Sequence, residues 1–284
     1  MSRRGLMAAG VGGAVSKLEA AGAVPTVEFG SHRISRVIVG GNPVSGNSHS
    51  SPELDAEMRD YFTAANVKQL LAGCEAAGIN TWQSRGDRHI MRMLNEYRNQ
   101  GGRIQWIGQT ASELADIPRN IRDMAAAGAM GIYHHGTATD RFWKAGKIDQ
   151  VRELLKAIRA TGARVGLGTH IPEVIDYVES KGWDLDFYMA CVYNMSRAGD
   201  VFVDADREQM LARVKRTARQ CLIFKVYAAG RQCDSPERRR QALELAFRYA
   251  KPSDAVVIGM YPKHSDQVRE NCRLVREVLI QYPA

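Results

Sequence analysis

Downstream of Pro25 the chain alternates two kinds of segment: short apolar runs, and longer stretches whose apolar residues recur every three or four positions. The runs fit strands buried on both faces, and the stretches fit helices laid against them. Eight runs qualify as strands, at 36–41, 79–84, 104–110, 129–134, 164–170, 186–194, 222–228 and 255–261, each rich in Val, Ile, Tyr, Trp or Gly. The helical stretches lie at 67–77, 87–99, 148–159, 172–181, 206–219, 235–250 and 265–280. The clearest of them, 148–159, runs into Thr161-Gly162, a glycine stop that lets a last turn close in the left-handed region. Several others open on Asp, Ser or Pro, as first turns prefer. Ahead of the repeats, 26–29 and 32–34 joined at Gly30-Ser31 predict a short hairpin. Alternating strands and helices imply a parallel sheet, and eight strands can close it. The expected fold is a single α/β domain over 24–284, a (β/α)8 TIM barrel with a short N-terminal hairpin.

Two segments stand outside this rhythm. The connection at 42–66 is the longest, with Pro43, Gly46 and a helical patch at 52–61. Long connections at the strand ends of a barrel serve as lids, so this one is the expected cover of a site. Residues 1–23 carry Arg3-Arg4, a weakly apolar stretch of Gly and Ala, and Ala21-Gly22-Ala23. That fits a leader with a twin-arginine export signal, which implies a periplasmic or exported protein; read as a plain leader, it implies a cytoplasmic one.

Composition narrows the classes of function. With 284 residues and 45% hydrophobic content, the chain can bury a full core. The net charge of +8 is spread through segments that also carry Asp and Glu. Arg238-Arg239-Arg240, the one basic run, lies early in a predicted helix without interleaved aromatics and reads as a solvated face, so no nucleic-acid partner is expected. Cys74, Cys191, Cys221, Cys233 and Cys272 are scattered and lack metal-ligand spacing, against a disulfide framework or a zinc ribbon. No apolar run is long enough to span a bilayer. A soluble protein with a small-molecule substrate and no membrane partner is expected.

In such a barrel the chemistry belongs to the strand ends. The polar residues there include Asn42, Gln83, Arg85, Asp87, Gln109, His134, His135, Thr169, His170, Asn194, Lys225, Arg231 and Lys263. His134 and His170 end the neighbouring fourth and fifth strands. As a pair they could ligate a divalent metal, with Gln83 or Asn194 assisting. Without a metal, either could act as general base while Lys225 or Arg85 stabilises developing negative charge. A carboxylate would have to reach in from Asp87, Asp140 or Glu173 to complete a metal site. Alternation puts His135 on the opposite face from His134, in a structural or supporting role. Cys191 reads as a packed core thiol.

Three motifs act together. A hairpin followed by Val37-Ile38-Val39-Gly40-Gly41-Asn42, then Gly78-Ile79-Asn80-Thr81, and finally Val257-Ile258-Gly259-Met260 with Glu270-Asn271, resemble the aldo/keto reductase superfamily over most of the chain. The resemblance implies an oxidoreductase barrel using NADP or NAD. It implies that Glu270 and Asn271 lie near the adenosine portion, with Lys263 or Arg269 at a 2′-phosphate. It also implies a catalytic Asp, Tyr, Lys and His, the phenol protonating a carbonyl. Here the Asp position is Gln83, the Tyr position falls at about Arg88, and the strand that should supply the Lys ends in Gln109. Of the four, His134 alone matches, and Lys225 stands where the family stacks a ring on nicotinamide. The expected protein is therefore a divergent member lacking most of the tetrad.

Two enzymatic functions follow. One is a reductase-like enzyme acting on a carbonyl or hydroxyl of a small polar, sugar-like substrate. The other is a non-redox lyase, isomerase or hydrolase using His134, His170 and Lys225, with or without a metal. A non-catalytic sensor that kept the barrel is a third reading.

Overall fold

The computed structural model describes residues 23–197 and 201–283. The leader, apart from Ala23, lies outside the described residues. The chain opens with a hairpin, β1 (Thr26–Phe29) and β2 (His32–Ser35), followed by β3 (Val37–Gly40). Next come α1 (Pro52–Tyr61), α2 (Ala64–Ala77), β4 (Thr81–Arg85), α3 (Arg88–Asn99), β5 (Gln105–Gln109) and α4 (Ile117–Ala126). The middle holds β6 (Gly131–His134), α5 (Gly136–Lys144), α6 (Val151–Arg159), β7 (Arg164–Thr169), α7 (Pro172–Ser180) and β8 (Phe187–Cys191). The last part holds α8 (Asp204–Arg216), β9 (Gln220–Phe224), α9 (Pro236–Tyr249), β10 (Ala255–Gly259) and α10 (Gln267–Gln281). Strands β3 to β10 pair in parallel in chain order, and β10 returns to pair with β3. The result is the expected (β/α)8 barrel behind an antiparallel hairpin.

All eight strands fall within the expected runs or overlap them. The largest difference is β9, expected at 222–228 and found at Gln220–Phe224. Lys225 stops it by turning to φ 61°, outside the strand region. Two helices had no counterpart in the sequence reading. Helix α4 is capped by Asp116, whose carboxylate accepts the Arg119 amide at 2.9 Å. Helix α5 is written Gly136-Thr137-Ala138-Thr139-Asp140-Arg141-Phe142-Trp143-Lys144, and its Gly and β-branched Thr residues are poor helix formers. Packing against β7 supplies what propensity does not.

Alternation along each strand divides the apolar residues into two layers. Val37, Val39, Trp82, Trp106, Ile132, Val165 and Leu167 face outward and pack with the helices in one cluster. Ile38, Ile107, Tyr133, Phe187, Met189, Leu222 and Val257 face inward and fill the barrel. The hairpin closes the barrel floor: Val27, Phe29 and Ile34 join the inner cluster, with the Phe29 and Phe187 rings 5.1 Å apart, edge to face. Burying each of these phenylalanines contributes roughly 2–3 kcal/mol. Gly166 makes room for Phe187, since a Cβ there would run into its ring and lie 2.6 Å from the Cβ of Tyr133, and a Cβ at Gly131 would come within 2.9 Å of the Phe29 ring. With the floor plugged, the open end is the one where the strands finish. No helix among the described residues is long and apolar enough to cross a membrane.

Candidate active site at the strand ends

A cavity of about 720 Å³ opens at the strand ends, within the size range of small-molecule sites. One part lies over the barrel mouth, where Gln83, Arg85, Gln109, Tyr133, His135, His170 and Lys225 line it. A second part runs between the connections after β9 and β10 to Arg239, Gln267, Glu270 and Asn271. The long connection after β3 forms one wall through Asn42, Asn47, Ser48 and Met58.

The two predicted histidines do not meet. His134 follows outward-facing Ile132 by two residues and therefore shares its outer side. Its Nδ1 lies 2.8 Å from Thr139 Oγ1, and its ring packs on Phe142, both from α5. Burial holds its pKa down at about 3. His135 follows inward-facing Tyr133 by two and lines the cavity instead. The sequence reading placed these neighbours on the correct opposite faces but exchanged the faces. What separates them is Tyr133, which joins Ile107 and Phe187 in the inner cluster, a relation fixed by the register of the neighbouring strands.

His135 is also the N-cap of α5. Its Nδ1 accepts the Ala138 amide at 3.3 Å, which leaves the ring proton on Nε2 in the neutral form. Burial is the main cause of a pKa pushed down to about 4, with the nearby His170 adding to it. Neutral at ordinary pH, this ring is a hydrogen-bond donor rather than a cation.

His170 follows the last residue of β7 and faces the cavity. Its Nδ1 lies 2.6 Å from Asp140 Oδ2, and both groups are buried. Asp140 is held by more than the ring: Thr169 Oγ1 donates to Oδ1 at 2.6 Å, and the His170 amide approaches both oxygens at 3.2–3.3 Å. Asp140 is thus the carboxylate that reaches in, from the helix that the sequence did not reveal. The carboxylate fixes the ring and selects the tautomer with Nδ1 protonated, so Nε2 is left as the basic nitrogen at the cavity.

Charged neighbours complete the mouth. Arg85 Nε lies 3.2 Å from Asp87 Oδ2, and Arg85 Nη2 contacts Glu113. Asp87 itself caps α3 by accepting the Ile90 amide at 2.9 Å. Lys225 has its ammonium 5.9 Å from the Phe202 ring centroid. Its positive φ is a conformation that non-glycine residues rarely hold, and such positions cluster at functional sites. Gln83 Nε2 donates to the Tyr133 hydroxyl at 2.7 Å. Arg88, at the family's tyrosine position, is exposed at the start of α3.

The residues assigned to a dinucleotide separate as well. Glu270 and Asn271 line the second part of the cavity. Asn271 is already engaged, accepting the Tyr227 hydroxyl at 2.8 Å and donating to the Gln267 carbonyl at 2.7 Å. Lys263 is turned to Glu57 of α1 at 2.9 Å, and Arg269 is largely exposed beside Asp266. The cation that does face this part is Arg239, 4.0 Å from Glu270, with its Nε buried and unpartnered. It belongs to the basic run that read as a solvated face. Its neighbours Arg238 and Arg240 pair with Asp234 and Glu277.

Among the described residues no group of three His, Cys, Asp or Glu side chains stands close enough to hold a metal ion. His134 cannot join His170 in one, because it lies behind the strand. Cys191 is buried, with its thiol pushed up to about 12 by desolvation, in keeping with a packed core residue.

No protein-family model matches the sequence, and no curated protein does. Solved structures match over nearly the whole chain at low identity. A truncated 3-deoxy-D-arabino-heptulosonate 7-phosphate synthase from Thermotoga maritima is 12% identical with a TM-score of 0.58, covering 91% of this chain and 92% of its own. A dihydropteroate synthase from Xanthomonas albilineans is 15% identical at 0.53, covering 92% and 100%. A glycerol dehydrogenase from Gluconobacter oxydans, an aldo/keto reductase, is 12% identical at 0.51, covering 91% and 96%. These likenesses show the barrel fold and spread over several barrel families, so the resemblance to aldo/keto reductases narrows to a shared TIM barrel.

Proposed function

We propose that this protein is a non-redox enzyme, an isomerase or lyase, that moves a proton at the carbon beside the carbonyl of a small, polar, sugar-like substrate. The observation that carries this reading is the Asp140–His170 pair. Its carboxylate orients an imidazole whose Nε2 is placed to accept a proton at the barrel mouth. Neutral His135 donates from Nε2 to the substrate oxygen, and Lys225 and Arg85 stabilise the negative charge that develops there. Asn42, Gln83 and Gln109 supply hydrogen bonds suited to a chain of hydroxyls. Incubation of the protein in D2O with a panel of small aldoses, ketoses and hydroxy acids, followed by proton NMR, tests the reading. Deuterium entering beside the carbonyl of at least one compound supports it, and absence of exchange across the panel counts against it.

One observation favours a second reading, a nicotinamide-dependent oxidoreductase. The cavity extends to Glu270 and Asn271, where the aldo/keto reductase resemblance puts adenosine, and Arg239 supplies a cation there. A bound dinucleotide would supply hydride transfer, while the positions of the family's Asp, Tyr and Lys are filled by Gln83, Arg88 and Gln109. Titration with NADH and NADPH, followed by nicotinamide fluorescence, decides it: saturable binding supports this reading, and a linear response opposes it.

A further inference from the structure

The geometry points to Tyr133 as the donor that holds the developing oxyanion, with Gln83 as the residue that aims it. This rests on the proton-transfer reading above and adds to it a group that no sequence motif marks. Tyr133 rises from the inner face of β6 and lines the cavity, its ring packed in the barrel interior with Phe187 at 6.4 Å between centroids. The ring therefore has little freedom, and Gly166 on the neighbouring strand leaves the space that it and Phe187 fill.

The hydroxyl is polarised in one direction. Gln83 donates its amide N–H to the phenol oxygen at 2.7 Å, which occupies an acceptor site and leaves the phenol's own proton to be given elsewhere. Among the described residues no acceptor takes that proton. A phenol in an apolar barrel stays protonated, and desolvation raises its pKa. Such a group is a fixed donor that costs no reorganisation when charge appears on a substrate oxygen.

The step balances without a cofactor. His170 Nε2 takes the proton from the carbon beside the carbonyl, the C–H electron pair becomes the new C=C bond, and the carbonyl π pair moves onto oxygen. That oxygen is stabilised as the anion by the Tyr133 O–H, which keeps its proton. Imidazolium at His170 then returns the proton to the former carbonyl carbon, while the proton of the adjacent hydroxyl passes to the oxyanion and a new carbonyl forms beside it. Alternatively it gives the proton to a departing group, as the enolate collapses to the carbonyl and the C=C electron pair expels that group. Gln83 thus has a role that differs from that of an acid: it positions a phenol from another strand.

The test uses acetohydroxamate, a planar oxyanion, as a stand-in for the enediolate. Its affinity is measured by calorimetry for the wild type, Tyr133→Phe and Gln83→Leu, with far-UV circular dichroism to check folding. A hydrogen bond to a charged oxygen predicts that Tyr133→Phe raises Kd about tenfold or more, with a smaller rise for Gln83→Leu. If Tyr133→Phe does not fold, 3,5-difluorotyrosine at position 133 keeps ring and hydroxyl while strengthening the donor, and tighter binding is expected. An unchanged Kd in the substituted protein, or no binding to the wild type, overturns the assignment. Isotope exchange separates the two claims. Exchange that survives Tyr133→Phe within twofold sinks the donor alone, and probe binding that depends on Tyr133 in a protein without exchange sinks the base alone.

Discussion

His170 Nδ1 stands 2.6 Å from Asp140 Oδ2, a contact between the end of one strand and a helix that precedes it by one crossover. Four hydrogen bonds converge on that carboxylate, so it serves the fold and the imidazole together. The two duties can be separated. Asp140→Asn preserves the shape but presents an amide that favours the wrong tautomer, and is expected to lower the exchange rate by about 10²–10⁴ with a small change in Tm. Asp140→Ala strands the Thr169 hydroxyl and the ring, and is expected to cost about 3 kcal/mol of stability, read by urea unfolding.

Both His134 and His135 have pKa values below the ordinary 6.5, at about 3 and about 4, because burial disfavours the imidazolium. The unfolded chain therefore binds more protons than the folded one between roughly pH 6.5 and those values. Their contribution to stability is complete above about pH 6.5 and is lost as pH falls toward 3. Urea midpoints measured from pH 7 to 4 should fall steadily. Imidazole nitrogen resonances of both residues should remain those of the neutral ring at pH 6.

Lys225 holds φ 61° at the end of β9, and Ala228 and Ala229 follow it at 50° and 52°. Glycine adopts that conformation without the penalty that a side chain incurs. Lys225→Gly is expected to leave stability unchanged or raise it by up to about 1 kcal/mol while lowering the exchange rate at least tenfold. A stability gain without loss of rate would show that the strain serves only the turn.

The connection after β3, expected to cover the site, is tied down at one carboxylate. Glu57 Oε1 of α1 accepts from the Tyr261 hydroxyl at 2.7 Å and Lys263 Nζ at 2.9 Å, and His264 Nε2 is 2.9 Å away. These partners, Lys263 first, hold its pKa at about 2. A lowered folded value means that the tie is intact above the ordinary carboxylate range and weakens as pH falls from about 4.5 toward 2. Glu57→Gln should speed amide hydrogen exchange across residues 42–61 with little change in Tm. Exchange equal to wild type there would show that the connection is held by Arg231, which reaches the His49 carbonyl at 3.0 Å, and not by Glu57.

The barrel was legible because its strands are buried on both faces and read as unbroken apolar runs, which a single period cannot disguise. The same property hid the site. A run apolar on both faces gives no parity, so the inward member of His134 and His135 could not be told from these two residues alone. Asp140 went unplaced because α5 is held by tertiary packing and carries weak helical signals. Arg239 was hidden in a run that resembles any solvated helix face. Gln83 and Lys225 line the cavity, Gln83 as a polar residue inside a buried strand and Lys225 as the residue that ends one, and polarity in such places is visible in the sequence.

The most direct measurement is deuterium incorporation by wild type and His170→Ala, on the panel compound that exchanges fastest, with His134→Ala as the control on the far side of the strand. The expected result is loss of exchange by at least a hundredfold in His170→Ala and retention within a few-fold in His134→Ala wherever that variant folds. Exchange that persists in a folded His170→Ala protein would contradict the assignment of the base.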